Sequence, residues 1–257
     1  MFLSLVSGSS GNSSILSHKN TTLIVDMGLS CKKLEQKLSE LNTSADKISG
    51  ILVTHEHSDH IKGIGTASRK HNIPVYATVE THACLTDLNI PDNLVKHITP
   101  GTDFQIGDIG IKPFSIPHDA AGPVAFNFFF DEKKLTLATD IGEMTDDIMN
   151  NIKGSLAVLL ESNHDINMLK NGRYPAFLKQ RILGKFGHLS NETAARTALE
   201  LAKTGTKHLM LGHLSDQNNT PKTAFLETAS LLTKNGAIIQ KDLMLTVASR
   251  YEVTKFK

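Results

Sequence analysis

The 257 residues carry 27 Lys and Arg against 26 Asp and Glu, so no global basic field draws the chain to nucleic acid or to an anionic membrane, and any such attraction is local. The length suits one α/β domain of generous size spanning 1–257. Twelve histidines and no tryptophan are the compositional outliers, and they raise metal chemistry at once.

The opening "MFLSLVSGSSGNSS" has no basic n-region and its apolar run breaks at Gly8, so no signal peptide is expected. No run approaches transmembrane length. The expectation is a cytoplasmic protein in which Cys31 and Cys84, too far apart for a CxxC pair, are buried reduced thiols.

Along the chain, the Gly/Ser-rich stretch at 7–14 precedes a strand. Its small side chains, Ser10 and Asn12 among them, can receive an oxyanion or pack beneath a site, although a β-turn explains it equally well. "TTLIVD" at 21–26 reads as a strand, and "LSCKKLEQKLSEL" as a helix with Leu34, Leu38 and Leu41 on one face after a Ser30 cap. Further strands are expected at "GILVT" (50–54), "PVYAT" (74–78), "IGIKPFSI" (109–116), "VAFNFFF" (124–130), "KLTLAT" (134–139) and "LAVLLES" (156–162). "SNETAARTALELAKTG" is a helix stopped by Gly205, and "HLMLGH" (208–213) and "LMLTVA" (243–248) complete the strands. Several runs lack alternation, as strands covered on both faces do. Strands alternating with helices predict a layered α/β fold.

"LVTHEHSDHIKGI" carries three histidines and an aspartate in the six residues from His55 to His60, directly after a buried strand. His55 and His57, two apart on an extended segment, project to the same side. Asp59 and His60 follow as the chain turns toward a helix beginning near His60. The pattern is not HExxH, because Asp59 stands four after His55. Four ligands do not satisfy two metals, and three other strand ends offer more: His118 after "FSIP", Asp140 after "LTLAT" and His213 after "LMLG". Singly, each reads as a loop residue or cap. Together they read as a metal site at strand ends.

HxHxDH followed by a lone His, a lone Asp and a final His, each after a strand, resembles the metallo-β-lactamase fold, a four-layer αββα sandwich with a dinuclear site. "LIVDMG" at 23–28 resembles its early motif, with Asp26 supporting the metal loop. By position, the resemblance implies His55, His57 and His118 on one metal, Asp59, His60 and His213 on the other, and Asp140 bridging. Two cations together lower the pKa of a shared water and stabilise an oxyanion, so hydrolysis is expected, with Asp59 essential to it. Mixed N/O ligation without thiolate suits Zn²⁺ or Mn²⁺. His57 in place of a glutamate separates the chain from the di-iron redox members of this fold.

The short passage "PHDAAGPVAF" is less like the lactamases and thioester hydrolases of the fold than like its phosphodiesterases and nucleases, and about 70 residues between Asp140 and His213 leave no room for the large insert of its RNA-processing members. Two further imidazoles, His164 in "ESNHD" and His188 in "FGHLSN", are candidates to protonate a leaving oxygen, His188 the better placed. A capping or surface role is as good a reading for each. "KNGRYPAFLKQRILGK" at 170–185 holds Lys179, Arg181 and Lys185 among its cations and no acid. It reads either as a solvated helix face or as a local polyanion patch. The "SGSSGNS" opening, "THEHSDH", "ESNHD" and "GHLSN" together resemble the YycJ/WalJ-like branch of the fold, which implies 5′-to-3′ exonuclease activity, with DNA expected as the polymer more than RNA and a role in repair open to it. The rival readings are a small-molecule phosphodiesterase, then a thioesterase or lactonase, and, from another class, a non-catalytic nucleic-acid-binding partner.

Overall fold

Each of the nine apolar runs forms a strand in the computed structural model, which describes residues 1–256. In β3 (Thr21–Val25) Leu23 and Val25 turn to one face and Ile24 to the other, all buried. A strand so covered must lie between two layers.

The first sheet takes β1 (Phe2–Val6), β2 (Ser13–His18), β3, β4 (Gly50–Leu52), β5 (Val75–Ala77) and β6 (Val95–His97), with β14 (Thr254–Lys255) pairing along β1. From β3 to β6 the pairing is parallel. The second sheet runs β13-β12-β11-β10-β9-β8-β7. Its strands are β7 (Phe104–Ile106), β8 (Ile109–Ser115), β9 (Val124–Phe130), β10 (Lys133–Ala138), β11 (Ala157–Glu161), β12 (His208–Gly212) and β13 (Met244–Val247). β10 to β13 are parallel, and β8 runs in the same sense because β9 is antiparallel to both its neighbours.

Leu23, Val25 and Leu52 meet Phe126, Phe128, Leu137, Leu159 and Met210 between the sheets. Outside the first sheet, Ile24, Ile51 and Val75 pack on Leu34 and Leu38 of α1 (Cys31–Glu40) and Ile64 of α3 (Ile64–His71), the short α2 (Ser58–Ile61) lying between these helices in the chain. Beyond α4 (Val79–Ala83), the second sheet turns Val158, Leu160 and Leu211 toward α5 (Asp146–Ile152), α8 (Asn191–Lys203) and α9 (Pro221–Lys234). α6 (Ile166–Asn171) and α7 (Ala176–Leu183) fill the loop before α8. The result is the expected αββα order of layers.

Local chemistry sets the helix ends. The Ser30 hydroxyl accepts from Lys33 N at 3.3 Å to open α1, and Ser190 accepts from Thr193 N at 3.2 Å to open α8. Gly205, at φ +101°, follows the end of α8. Leu34 and Leu38 are buried, whereas Leu41 is the half-exposed C-cap. α2 begins at Ser58, two residues ahead of the expected start. Of the cysteines only Cys31 is buried; Cys84, on the surface after α4, is exposed, contrary to expectation. The segment after His213 covers the second sheet: Thr220 caps α9, which sends Ala224 and Leu232 into the outer core.

Candidate metal centre

The loop after β4 and the ends of β8, β10, β11 and β12 converge at one edge of the sandwich. Asp26, Asp140 and His213 each follow a strand with φ of 57°, 61° and 54°. This left-handed backbone is uncommon outside glycine and collects at functional sites. It turns the three side chains inward from strand ends.

A repeated device presents the imidazoles. The Thr54 hydroxyl donates to Asp26 Oδ2 at 2.7 Å and so accepts from His55 Nδ1 at 2.9 Å. His60 Nδ1 donates to Asp26 Oδ2 at 2.8 Å, His118 Nδ1 to the Gly187 carbonyl at 3.2 Å, and His213 Nδ1 to Glu161 Oε1 at 2.8 Å. Fixing Nδ1 as the protonated nitrogen leaves Nε2 with its lone pair facing the centre, the usual arrangement around ligating histidines. His57 offers Nδ1 instead, 3.3 Å from His118 Nε2. Two nitrogens each about 2.0–2.1 Å from one zinc-sized ion stand about that far apart.

Four sets of ligand atoms at this edge each lie within 4.8 Å: His55, His57 and His118; Asp59, His60 and His213; His55, His60 and Asp140; and Asp140, Glu161, His188 and His213. Asp140 Oδ2 is 3.4 Å from His60 Nε2, and its Oδ1 is 3.9 Å from His118 Nε2, so this carboxylate lies between the first two sets. His55 Nε2, His213 Nε2 and Asp140 Oδ2 are buried without a hydrogen-bond partner. Orphaned polar atoms of this kind are costly to bury. Three of them pointing into one cluster of imidazoles and carboxylates fit bound cations.

The charges agree. Burial, and then the neighbouring imidazoles of His60, His118 and His57, hold His55 well below the usual histidine range. Burial opposes charge on His213 too, but Asp140, Asp59 and Glu161 push it up to about 10. Without a cation, therefore, the carboxylates recruit protons onto His213, and likewise onto His60 beside Asp140 and Asp26.

Glu161 is the functional residue that sequence reasoning passed over. Fully buried, it accepts from His188 Nδ1 and His213 Nδ1, both at 2.8 Å, and from the backbone N–H of Ile141 and Leu189 at 2.9 and 3.0 Å. Burial opposes its ionisation, yet the His188 and His213 imidazoles hold it below the usual carboxylate range. His188 is brought to the cluster: Nδ1 is 3.8 Å from Asp140 Oδ1, and its side chain is 18% exposed, open to an incoming molecule. His164 is 1% exposed, with both ring nitrogens unpartnered, and burial holds it down at about 4.

The Gly/Ser stretch divides. Asn12 is buried; its amide donates to Asp59 Oδ2 and Gly8 O, both at 3.1 Å, and lies 3.0 Å from His60 Nε2. Ser10 is exposed and lines a separate groove of about 460 Å³ with Ser30, Lys33 and Lys62. Of the basic segment, Arg181 pairs with Asp119, Lys179 Nζ donates to the Lys170 carbonyl at 2.8 Å, and Lys185 stands 3.9 Å from Glu143. Acids from other segments thus answer a run that has none of its own. Phe177 and Phe186, 71% and 61% exposed, stand among these cations.

Residues 21–214 match the Beta-lactamase superfamily domain. The chain belongs to the beta-lactamase superfamily. Over 237 residues it is 41% identical to the exodeoxyribonuclease YycJ of Bacillus anthracis, covering 91% of this chain and 90% of that one. Over 234 residues it is 39% identical to the exodeoxyribonuclease WalJ of Streptococcus pneumoniae, covering 90% and 87%. The Zn²⁺-bound PqqB of Methylobacterium extorquens shares the fold, with a TM-score of 0.69 at 16% identity over 99% of both chains. In this beta-lactamase-superfamily chain the His/Asp cluster offers the donor set of a divalent-metal site.

Proposed function

We propose that the chain is a metal-dependent phosphodiester hydrolase, an exodeoxyribonuclease that digests DNA from the 5′ end. The observation that carries the reading is the buried Glu161 carboxylate on His188 Nδ1 at 2.8 Å, beside the cluster of ligand atoms. The polymer rests on the two exodeoxyribonucleases that the chain resembles along about nine-tenths of its length.

His55, His57 and His118 would hold one cation, Asp59, His60 and His213 a second, and Asp140 would reach both. Bound there, two divalent ions, zinc or manganese, would acidify water and offset charge on the phosphate oxygens. The protein's own groups do the rest. With Nδ1 committed to Glu161, His188 keeps Nε2 for the substrate; as water adds to phosphorus and the P–O3′ bond breaks, that nitrogen gives its proton to the departing oxygen. Glu161 fixes the tautomer and stabilises the imidazolium. His164 lines the same cavity as His188 but has no such partner and is only 1% exposed, so the role goes to His188. Asn12 steadies Asp59 and His60, whereas Ser10 faces the separate groove with Lys33 and Lys62.

The test incubates metal-loaded protein with 5′-labelled and 3′-labelled DNA, RNA of the same sequence, bis-p-nitrophenyl phosphate and a thioester. Early release of 5′-terminal mononucleotides from DNA is expected. Turnover of the small diester or the thioester alone would overturn the polymer reading and leave the metal assignment intact.

A further inference from the structure

On the outer face of the first sheet, away from the His/Asp cluster, a second set of ligand atoms converges. Cys31 opens α1, Glu35 lies one turn further on the same face, and His71 closes α3. Cys31 Sγ is 3.3 Å from Glu35 Oε1, and His71 Nε2 is 2.8 Å from that same oxygen. All three ligand atoms lie within 4.8 Å of one another. Asp46 Oδ1 stands 3.7 Å from His71 Nδ1, beyond hydrogen-bond reach but close enough to favour a cation beside that ring. Sulfur, imidazole nitrogen and carboxylate oxygen form a donor set typical of zinc.

The position now has a different cation. Lys70 Nζ lies 2.7 Å from Glu35 Oε1, on a side chain 56% exposed and free to withdraw. Hydrogen bonds from Lys70, His71 and Cys31 hold the Glu35 carboxyl down at about 2, whereas burial and then Glu35 push the Cys31 thiol up to about 11. A metal ion therefore has to displace one proton and one ammonium group.

We infer that Cys31, Glu35 and His71 form a separate site for a zinc-class divalent cation, which clamps α1 to α3. As the metal–sulfur bond forms, the thiol proton leaves to solvent, Lys70 swings out, and the fourth ligand position stays with solvent. Binding accordingly strengthens as pH rises. The clamp joins the elements on either side of the metal loop: α1 continues from the segment in which Met27 N donates to the His60 carbonyl at 2.6 Å, and Gly63 N, ahead of α3, donates to Met27 O at 3.0 Å.

The His/Asp cluster contains no thiol, so a sulfur signature reports this site alone. Full-length protein stripped with chelator is titrated with Co²⁺ and followed by absorbance. Beyond the metal taken up by the His/Asp cluster, one further equivalent is expected to raise a near-ultraviolet thiolate-to-cobalt charge-transfer band, which Zn²⁺ then abolishes. Cys31→Ser and His71→Gln lose the band with unchanged circular dichroism, and Asp140→Asn keeps it. Lys70→Met tightens Co²⁺ binding about fivefold, the equivalent of an exposed ion pair. No band in the parent protein, a band that survives Cys31→Ser through Cys84, or affinity indifferent to Lys70→Met would overturn the site. DNA hydrolysis is not the readout, so the nuclease reading stands or falls independently.

Discussion

Glu161 shows how one residue can organise a site and still escape a reading of the sequence. A lone glutamate at the end of "AVLLE" looks like any acid at a strand terminus, unlike His55 to His60, whose density announces itself. A signal was nevertheless present: with a period of two, Glu161 shares the inter-sheet face of Ala157 and Leu159. A carboxylate on a buried face requires partners, and it finds two imidazoles. Glu161→Gln keeps the shape but removes the charge that favours the His188 imidazolium. We expect kcat to fall about 10²- to 10⁴-fold, with KM less affected. Because His213 shares the carboxylate, metal content is measured alongside; full recovery with excess metal would assign Glu161 to metal retention alone. His164 tests a different property. Buried and held at about 4, it stays neutral where the unfolded chain, with a histidine pKa near 6.5, has taken up a proton. Its contribution to stability is therefore complete above about pH 6.5 and is lost as pH falls toward 4, roughly 3 kcal/mol in all. His164→Leu should flatten the decline of the denaturant midpoint between pH 7 and 4.5. An unchanged decline would place the acid sensitivity elsewhere.

Among elements, legibility followed length and apolarity. The strands of the second sheet from β8 to β12 announce themselves as apolar runs, because both faces are buried. β6, β7 and β14 are two or three residues long and, unlike the equally short β4 in "GILVT" and β5 in "PVYAT", are interrupted by polar residues or made of them, and β2, "SSILSH", has only Ile15 and Leu16 to mark it. These are placed by their neighbours, not by their own sequence. The loop under the metal loop was legible only in part. Asp26 was expected to support it, and does so through Thr54 and His60, but the part played by Gly28 is a matter of close approach. A Cβ there would stand 1.7 Å from the Asp59 carbonyl oxygen and 2.6 Å from Asn12 N. Both obstacles are backbone, and the Asn12 N–H already donates to that carbonyl at 2.7 Å. Gly28→Ala must therefore push α2 away from the Gly/Ser turn. We expect a loss of about 1–3 kcal/mol in stability and weaker metal retention, because Asp59 and His60 move together. Denaturant melts and metal analysis after dialysis check both; wild-type retention would mean that the turn yields instead.

For the molecule as a whole, the balance of 27 cations against 26 anions leaves a polyanion nothing to follow at long range. A DNA chain has to be guided by the surface beside the centre. α7 and the loop after it supply Lys179, Arg181 and Lys185 with Phe177 and Phe186 exposed among them, and this mixture of charge with bare aromatic faces suits an unstacked strand. The cations are not equivalent. Arg181 is committed to Asp119, whose Oδ1 is 3.5 Å from His118 Nε2, so its loss would disturb the metal centre as well as the surface. Lys179 and Lys185 are held only by a backbone carbonyl and by a glutamate at 3.9 Å. The double variant Lys179→Glu with Lys185→Glu therefore isolates the electrostatic contribution. If both lysines meet phosphates, log–log plots of DNA affinity against salt should become shallower by about 0.7 per lost contact on single strands. Turnover of bis-p-nitrophenyl phosphate should not change, because that ester needs the metal cluster and His188 but no groove. An unaltered salt slope would move the DNA path off α7, leaving the groove beside Ser10, Lys33 and Lys62 as the next surface to reverse.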